Sequence, residues 1–532
     1  MTFNTQYIDF TTAKTLNPLV HNYINEDETI KPFYAQYPNN KGFTEVIKTA
    51  SNQIINRDGL VNELKFQNNL VLNTNQATVT NTNLLLNKNC FTITTGHQLC
   101  LFTGPLYFIY KIFSAINLAQ SLKKQFPEND FVPVYWMASE DHDFEEINNF
   151  NLFGKNIQWQ SSETGAVGDF NTSELKLLLP LLKQILGETP NANYLYTLFE
   201  QAYTQTTTLK NATRFLVNQL FGSYGLVVLD GNAVNLKKQF IPQFKADIFN
   251  TTAFNTVNQS IQQLQHLGYK MQVNPRPINC FYMEDGIRAR IEKQNDNYLV
   301  VGTDKKFTAQ QLEQLIDTNP EKISPNVVLR PLYQQHILPN IAYVGGPGEL
   351  AYWLQYKTMF TQFNITYPVL VPRTFITVIE KNIKTKLQKL NFTEVDIFKD
   401  EQDLIKEFQI NENAIFDLEE DKKNIDLIFN NINAKINTID KTLSATVNAE
   451  QQKALTSLDV LTAKANKALK QKLDTEITQI KTLKQKLFPN GMPQERFENF
   501  ATFYLKYGND FFTQLKEIAN PLFLKHTILN EE

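Results

Sequence analysis

From Arg373 to Phe488 the sequence contains no glycine and no proline, although the chain holds 19 of the first and 21 of the second. These two residues interrupt helices most strongly, so a gap this long constrains the segment to extended helix. The apolar positions agree. Ile425, Ile428, Ile432, Ile436, Ile439 and Leu443 recur at helical spacing, as do Leu473, Ile477, Ile480, Leu483 and Leu487. That is the one-sided a/d stripe of a coiled coil, and it needs a partner, either its own return helix or a second subunit. An alanine-rich middle, Ala449 to Ala468, reads as a tighter crossing or as the bend of a helical hairpin.

Before Arg373 the pattern changes. Phe91–Thr95, Phe131–Met137, Leu226–Leu229, Ile341–Val344 and Pro368–Pro372 are short apolar runs bounded by turn residues, and helical patterns separate them. Gly96-His97-Gln98 reads as a turn, Gly104-Pro105 as the opening of a helix, and Leu350–Phe360 as another helix. Strand, turn and helix in repetition predict an α/β fold with a parallel sheet. Between Asn279 and Gly302 the pattern is that of antiparallel hairpins, an insertion. The expected organisation is a core over 1–155 continued by about 210–235 and 325–375, insertions over 156–209 and 236–324, a helical coiled coil over 376–488 and a C-terminal helical segment over 489–532.

Composition excludes several classes. In 532 residues the formal net charge is −3, so no basic field exists to hold a nucleic-acid backbone. No apolar run approaches the roughly 20 residues of a membrane helix. The first residues lack the basic and apolar regions of a signal peptide. Three cysteines without CxxC spacing argue against a disulfide scaffold and a cysteine zinc cluster. A soluble, cytoplasmic protein is expected, with no nucleic acid and no membrane as partner.

In doubly wound sheets ligands sit beyond the carboxyl ends of the strands, and three loops so placed carry unusual residues. The first holds Gly96, His97 and Gln98. The second is Glu140-Asp141-His142-Asp143, three carboxylates around one histidine. That cluster is costly unless a cation, a substrate amine or a proton offsets it, and its charges favour the imidazolium form of His142 or recruit a divalent metal. The third, Gly345-Gly346-Pro347-Gly348-Glu349, with Tyr352 one turn on, reads as a strand-to-helix turn or a phosphate-cradling loop without the Walker spacing. Arg276, Arg330 and Arg373, each beside a proline, are carboxylate or phosphate clamps or structural ion pairs. Past the helical segment, Gln494-Glu495-Arg496 is more polar than a helix–helix turn requires.

Taken in order, TGHQLCLFTGPLYFIYK, VPVYWMASEDHDFEEIN, SPNVVLRPLYQQHILPNIAYVGGPGELAYW and FPNGMPQER resemble the bacillithiol-biosynthesis cysteine-adding family over essentially the whole chain. The resemblance implies a Rossmann-like core with two connective insertions and an antiparallel coiled coil, in a homodimer. It implies a ligase that adds L-cysteine to the amine of glucosaminyl-malate. Its core is similar to class I aminoacyl-tRNA synthetases and nucleotidylyltransferases, with the TGHQ motif in the place of their nucleotide signature. The catalytic candidates are then Glu140, Asp141, His142, Asp143 and His97. Gln98, Gly96, Arg276, Arg330, Gly346, Gly348, Glu349 and Tyr352 are the substrate-binding ones. ADP is associated with the family outside the core, which points to Asn490, Gly491, Met492 and Pro493, with Lys384, Lys386, Lys506 and Tyr507. ATP or ADP is the expected cofactor, and no metal ligands are assigned. The competing readings are a nucleotidylyl- or aminoacyl-transfer enzyme with another acceptor, and a non-catalytic coiled-coil assembly protein.

Overall fold

The computed structural model describes residues 3–412 and 414–532. The chain forms two compact units, one comprising the residues up to Thr377 and then Pro493–Asn530, the other Val378–Met492. Among the described residues no helix is long and apolar enough to cross a membrane.

The first unit is built on a parallel sheet of β1 (Cys90–His97), β2 (Asp130–Met137), β3 (Val227–Asp230), β4 (Asn340–Gly345) and β5 (Val369–Pro372). The five expected strands are therefore present. Their order across the sheet is β5-β4-β1-β2-β3, and each neighbouring pair is parallel. This is the doubly wound, Rossmann-like order, in which the chain reverses direction between β1 and β4 and leaves a crevice beyond their carboxyl ends. Parallel strands covered on both faces read as unbroken apolar runs. One face packs Phe91, Ile93, Val344 and Val371 under Ala115 and Leu118 of α1 (Tyr107–Gln125). The other packs Val134, Trp136 and Leu229 with Tyr333 of α2 (Arg330–Ile337) and Leu350 of α3 (Pro347–Trp353). Each buried Val, Leu, Ile or Phe among them contributes about 1.5–3 kcal/mol of transfer free energy.

Three local expectations are corrected. Gly96 and His97 do not turn; they are the last residues of β1, paired with Trp136 and Met137. Helix α1 starts at Tyr107, past Gly104-Pro105. Helix α3 starts inside the glycine-rich loop, at Pro347, because Glu349 reaches back to accept from Gly346 N at 2.9 Å and caps the first turn.

The insertion before β4 is an antiparallel sheet of Cys280–Glu284, Ile287–Gln294, Asn297–Val300, Lys306–Thr308 and Ile323–Pro325. In the second unit the helix Glu419–Asn437 packs on Ser444–Lys472 as an antiparallel hairpin within the chain. Lys422 pairs with Asp459 at 2.7 Å and Gln451 donates to Asp426 at 2.7 Å. The bend falls at 438–443, where Asp440 accepts from Thr442 N, and not in the alanine-rich stretch, which lies inside the long helix. Ile477, Ile480, Leu483 and Leu487 are buried along the helix Asp474–Leu487, which packs on Glu401–Asn411.

Candidate active site

The crevice between β1 and β4 opens into a cavity of about 650 Å³ in the first unit. Its walls bring together residues far apart in sequence: Gly96, His97 and Gln98 from the end of β1, Glu140, Asp141 and His142 from the loop after β2, and Gly346, Gly348 and Glu349 after β4. Arg276, Arg330 and Tyr352 line it as well. Asp143 does not. It is exposed and caps the short helix Phe144–Ile147, accepting from Glu146 N at 3.4 Å.

The acidic loop is less repulsive than its sequence implies, because its carboxylates are dealt out to different partners. Glu140 is paired with the fully buried Lys237, which also donates to Asn232 Oδ1 at 2.9 Å. Asp141 also lines the cavity and has no lysine or arginine partner among the described residues. Its Oδ2 accepts from Gln98 Nε2 at 3.0 Å and its Oδ1 from His142 N at 2.7 Å, while Gln98 also donates to Glu146 at 2.7 Å. The histidine is the opposite of the expectation. Burial, then the Arg288 guanidinium, hold the His142 imidazole below its ordinary value against the pull of Asp141 and Asp143, so the neutral ring is favoured over the imidazolium. Among the described residues no group of three or more His, Cys, Asp or Glu side chains is placed to hold a metal ion.

At the end of β1, His97 is likewise a ring whose neutral form is favoured. Burial, then Lys111, push its imidazole down to about 3, where it is a weak base at neutral pH. It packs against the rings of Tyr107 and Phe108. The neighbouring Cys100 thiol is pushed up to about 12 by burial, which keeps it from acting as a nucleophile.

The loop after β4 is not an open phosphate cradle. The Gly346 amide is already taken by Glu349 Oε2, and Glu349 also accepts from Tyr343 at 2.6 Å and from Lys111 at 2.7 Å. Burial works to raise the Glu349 carboxyl, but Lys111, Tyr343 and Gly346 outweigh it and hold it below its usual range. A fixed anion therefore stands where an incoming phosphate would. Lys111, 2% exposed, joins this carboxylate to the Gly96 carbonyl and so ties the two sides of the crevice together. Positive charge is supplied instead by arginines. Arg330 lies over the Trp136 ring at 5.8 Å and Arg496 over the Tyr107 ring at 5.8 Å.

Sequence reasoning missed Lys111, Arg288, Arg290 and Arg496, all of which line the cavity. A lone lysine in the apolar face of α1 and the polar Gln494-Glu495-Arg496 triplet were available signals for two of them. The nucleotide-site candidates lie elsewhere. Asn490 and Gly491, both exposed with φ of 53° and 75°, Met492, Lys384 and Lys386 belong to the second unit. Pro493, Lys506 and Tyr507 belong to the first, with the Lys506 ammonium 5.0 Å from the Tyr507 ring.

Behind His97 and Gln98 the chain runs through Phe102, Thr103 and Gly104 at φ of 46°, 68° and 64°, a run of left-handed conformations that only surrounding contacts can maintain. Asn499 supplies them, donating to the carbonyls of Phe102 at 2.9 Å and Gly104 at 2.7 Å. A Cβ on Gly104 would sit 2.5 Å from Cys100 Cβ. Gly104→Ala is therefore expected to lower stability by about 1–3 kcal/mol, read as a shift of the urea midpoint by tryptophan fluorescence.

Fold and site together define a Rossmann-like protein with an arginine-lined switch-point cavity, in whose wall Asp141 stands without a lysine or arginine partner among the described residues. Comparison with known proteins gives that class a family. Residues 3–374 match the model "Bacillithiol biosynthesis BshC, N-terminal Rossmann-like domain", and residues 376–531 match "Bacillithiol biosynthesis BshC, C-terminal coiled-coil domain". The chain belongs to the bacillithiol-biosynthesis BshC family. A relative from Flavobacterium psychrophilum, named "Putative cysteine ligase BshC", is 41% identical over 99% of this chain and 99% of its own. Relatives with the same name from Flavobacterium johnsoniae and Christiangramia forsetii are each 39% identical, covering 99% and 97% of both chains.

Proposed function

We propose that this chain joins L-cysteine to the amine of glucosaminyl-malate through an activated cysteine carboxyl, the last step in making bacillithiol. The observation that carries the reading is that Asp141, held by Gln98, and several guanidinium groups line one cavity. Arg276 and Arg496 have no carboxylate partner among the described residues. The names of the relatives support the same substrate class.

Joining a carboxylate to an amine in water is uphill at cellular concentrations, so the cysteine carboxyl needs activation by ATP as an adenylate or an acyl phosphate. The amine lone pair then forms the C–N bond while the bond from the acyl carbon to the phosphoryl oxygen breaks. The leaving group, AMP or phosphate, departs with that electron pair, and the amine proton passes to Asp141. Arg330 and Arg496 suit the anionic leaving group, because preorganised donors are worth most where charge develops. Arg276 suits a malate carboxylate through bidentate hydrogen bonds.

Incubating the full chain with ATP, L-cysteine and glucosaminyl-malate is expected to give the cysteinyl product, detected by its mass, with release of AMP or ADP. Complete absence of that product, or equal reaction with an unrelated amine, would overturn the assignment.

A further inference from the structure

The antiparallel insertion sends one side chain across to the acidic loop. Arg288, on the strand Ile287–Gln294, is fixed from several sides. Its Nε donates to Ser324 Oγ at 3.0 Å, its Nη2 to the Pro325 carbonyl at 3.3 Å, and its guanidinium lies 4.2 Å from the centre of the Phe281 ring. Its Nη1 lies 2.7 Å from His142 Nδ1. A guanidinium nitrogen can only donate. The ring nitrogen that faces it must therefore be the one that carries the lone pair, and the single proton of the neutral ring resides on Nε2.

We propose that Arg288 is a positioning residue that holds His142 as the neutral Nε2–H tautomer, so that the loop after β2 offers a hydrogen-bond donor beside the proton-accepting Asp141. The role rests on reading the cavity as an acyl-transfer centre; the tautomer itself does not. In that centre His142 moves no proton. It donates to the acyl oxygen as negative charge gathers there, while Asp141 takes the amine proton, so the two neighbours divide the work instead of competing for it.

The groups that face the ring come from two elements. Asp141 and Asp143 lie on its own loop and favour the charged ring; Arg288 comes from the insertion and opposes it, and burial acts in the same direction. Asp141 Oδ1 is 3.7 Å from Nδ1, beyond hydrogen-bond reach, so it does not claim the proton that Arg288 excludes. A proton on Nδ1 would set two donors face to face at the observed separation. Phe281 also packs on both partners, with its ring centre 5.3 Å from that of His142.

The test is the nitrogen spectrum of the full chain labelled with ¹⁵N-histidine. The six histidines are resolved by assigning His142 through its loss in His142→Gln. The wild-type ring is expected as one species, with Nδ1 unprotonated and Nε2 protonated. In Arg288→Met it becomes a mixture of tautomers, and its titration moves up towards the ordinary value of about 6.5. The turnover rate kcat falls roughly 10–100-fold, with KM little changed and an acid limb entering the pH profile near that value. A wild-type ring protonated on Nδ1, or an Arg288→Met spectrum identical to wild type, overturns the proposal. The wild-type spectrum decides the first arm whether or not the variant folds. A chain that makes no cysteinyl product yet keeps the Arg288-dependent tautomer would remove the catalytic role and leave the tautomer assignment standing.

Discussion

Asp141→Asn is expected to lower the rate of cysteine incorporation by roughly 10²–10⁴-fold, the range over which a positioned general base acts. The reason is local. Of the two carboxylates of its loop that line the cavity, Glu140 is taken by Lys237, whereas Asp141 is held only by two neutral donors, Gln98 Nε2 and His142 N. An asparagine keeps the size and one acceptor but cannot take a proton, and its amide nitrogen would meet the Gln98 amide donor to donor. Asp143→Asn is the matched control. Asp143 is exposed and caps a short helix, so its replacement should change the rate by no more than a factor of about two, as for ordinary surface substitutions. Initial rates followed by product mass, with thermal melts to show that both variants fold, make the comparison. Full activity in Asp141→Asn would remove Asp141 as the base. Equal loss in Asp143→Asn would mean that the loop works as a charge cluster and not through one group.

That contrast marks where the sequence stops being readable. The strands were legible because a sheet covered on both faces demands unbroken apolar runs, and Phe131–Met137 or Ile341–Val344 can hardly be anything else. The end of β1 was not. Gly96 and His97 look like a turn, and they remain in the strand because β2 extends far enough to pair with them. The charge of Glu140-Asp141-His142-Asp143 was equally plain, but its meaning depends on remote partners. Lys237 neutralises Glu140, and Arg288, 146 residues from His142 in sequence, reverses the expected charge of the ring. The Gly345–Glu349 loop shows the same effect. Its glycines suggest an anion cradle, yet Glu349 fills it because Lys111, on a different helix, stabilises that carboxylate. The place of the bend in the helical hairpin was left open for a different reason. Alanine favours helix and gives no signal of a bend, whereas Asp440-Lys441-Thr442 carries a side-chain cap that starts one.

The polar triplet after the helical unit supports the second large expectation. Glu495→Ala should destabilise the sheet-bearing unit by about 3–5 kcal/mol, the usual result of removing one partner of a buried ion pair. Glu495 and Arg373 are 3% and 2% exposed, and both terminal nitrogens of the guanidinium donate to the two oxygens of the carboxylate. Arg373 cannot shed its charge. Its Nε already lacks a hydrogen-bond partner, and its backbone is tied to Gly345 at the end of β4. With the carboxylate gone, that charge stays in an apolar setting between the rings of Tyr107 and Phe375, and the end of β4 must loosen to let water reach it. The three tryptophans, Trp136, Trp159 and Trp353, all lie in this unit, so urea unfolding followed by their fluorescence reports on it alone. Replacing both partners, Arg373→Met with Glu495→Leu, removes the charge together with its counter-charge and is expected to restore most of the lost stability, since well-packed apolar pairs commonly match buried ion pairs. Arg373 lines the cavity, so the restored fold should still be impaired in cysteine incorporation. Stability that stays low in the double variant would show that the pair acts through packing and not through charge. Full activity in it would show that the Arg373 guanidinium is not needed in the cavity wall for cysteine incorporation.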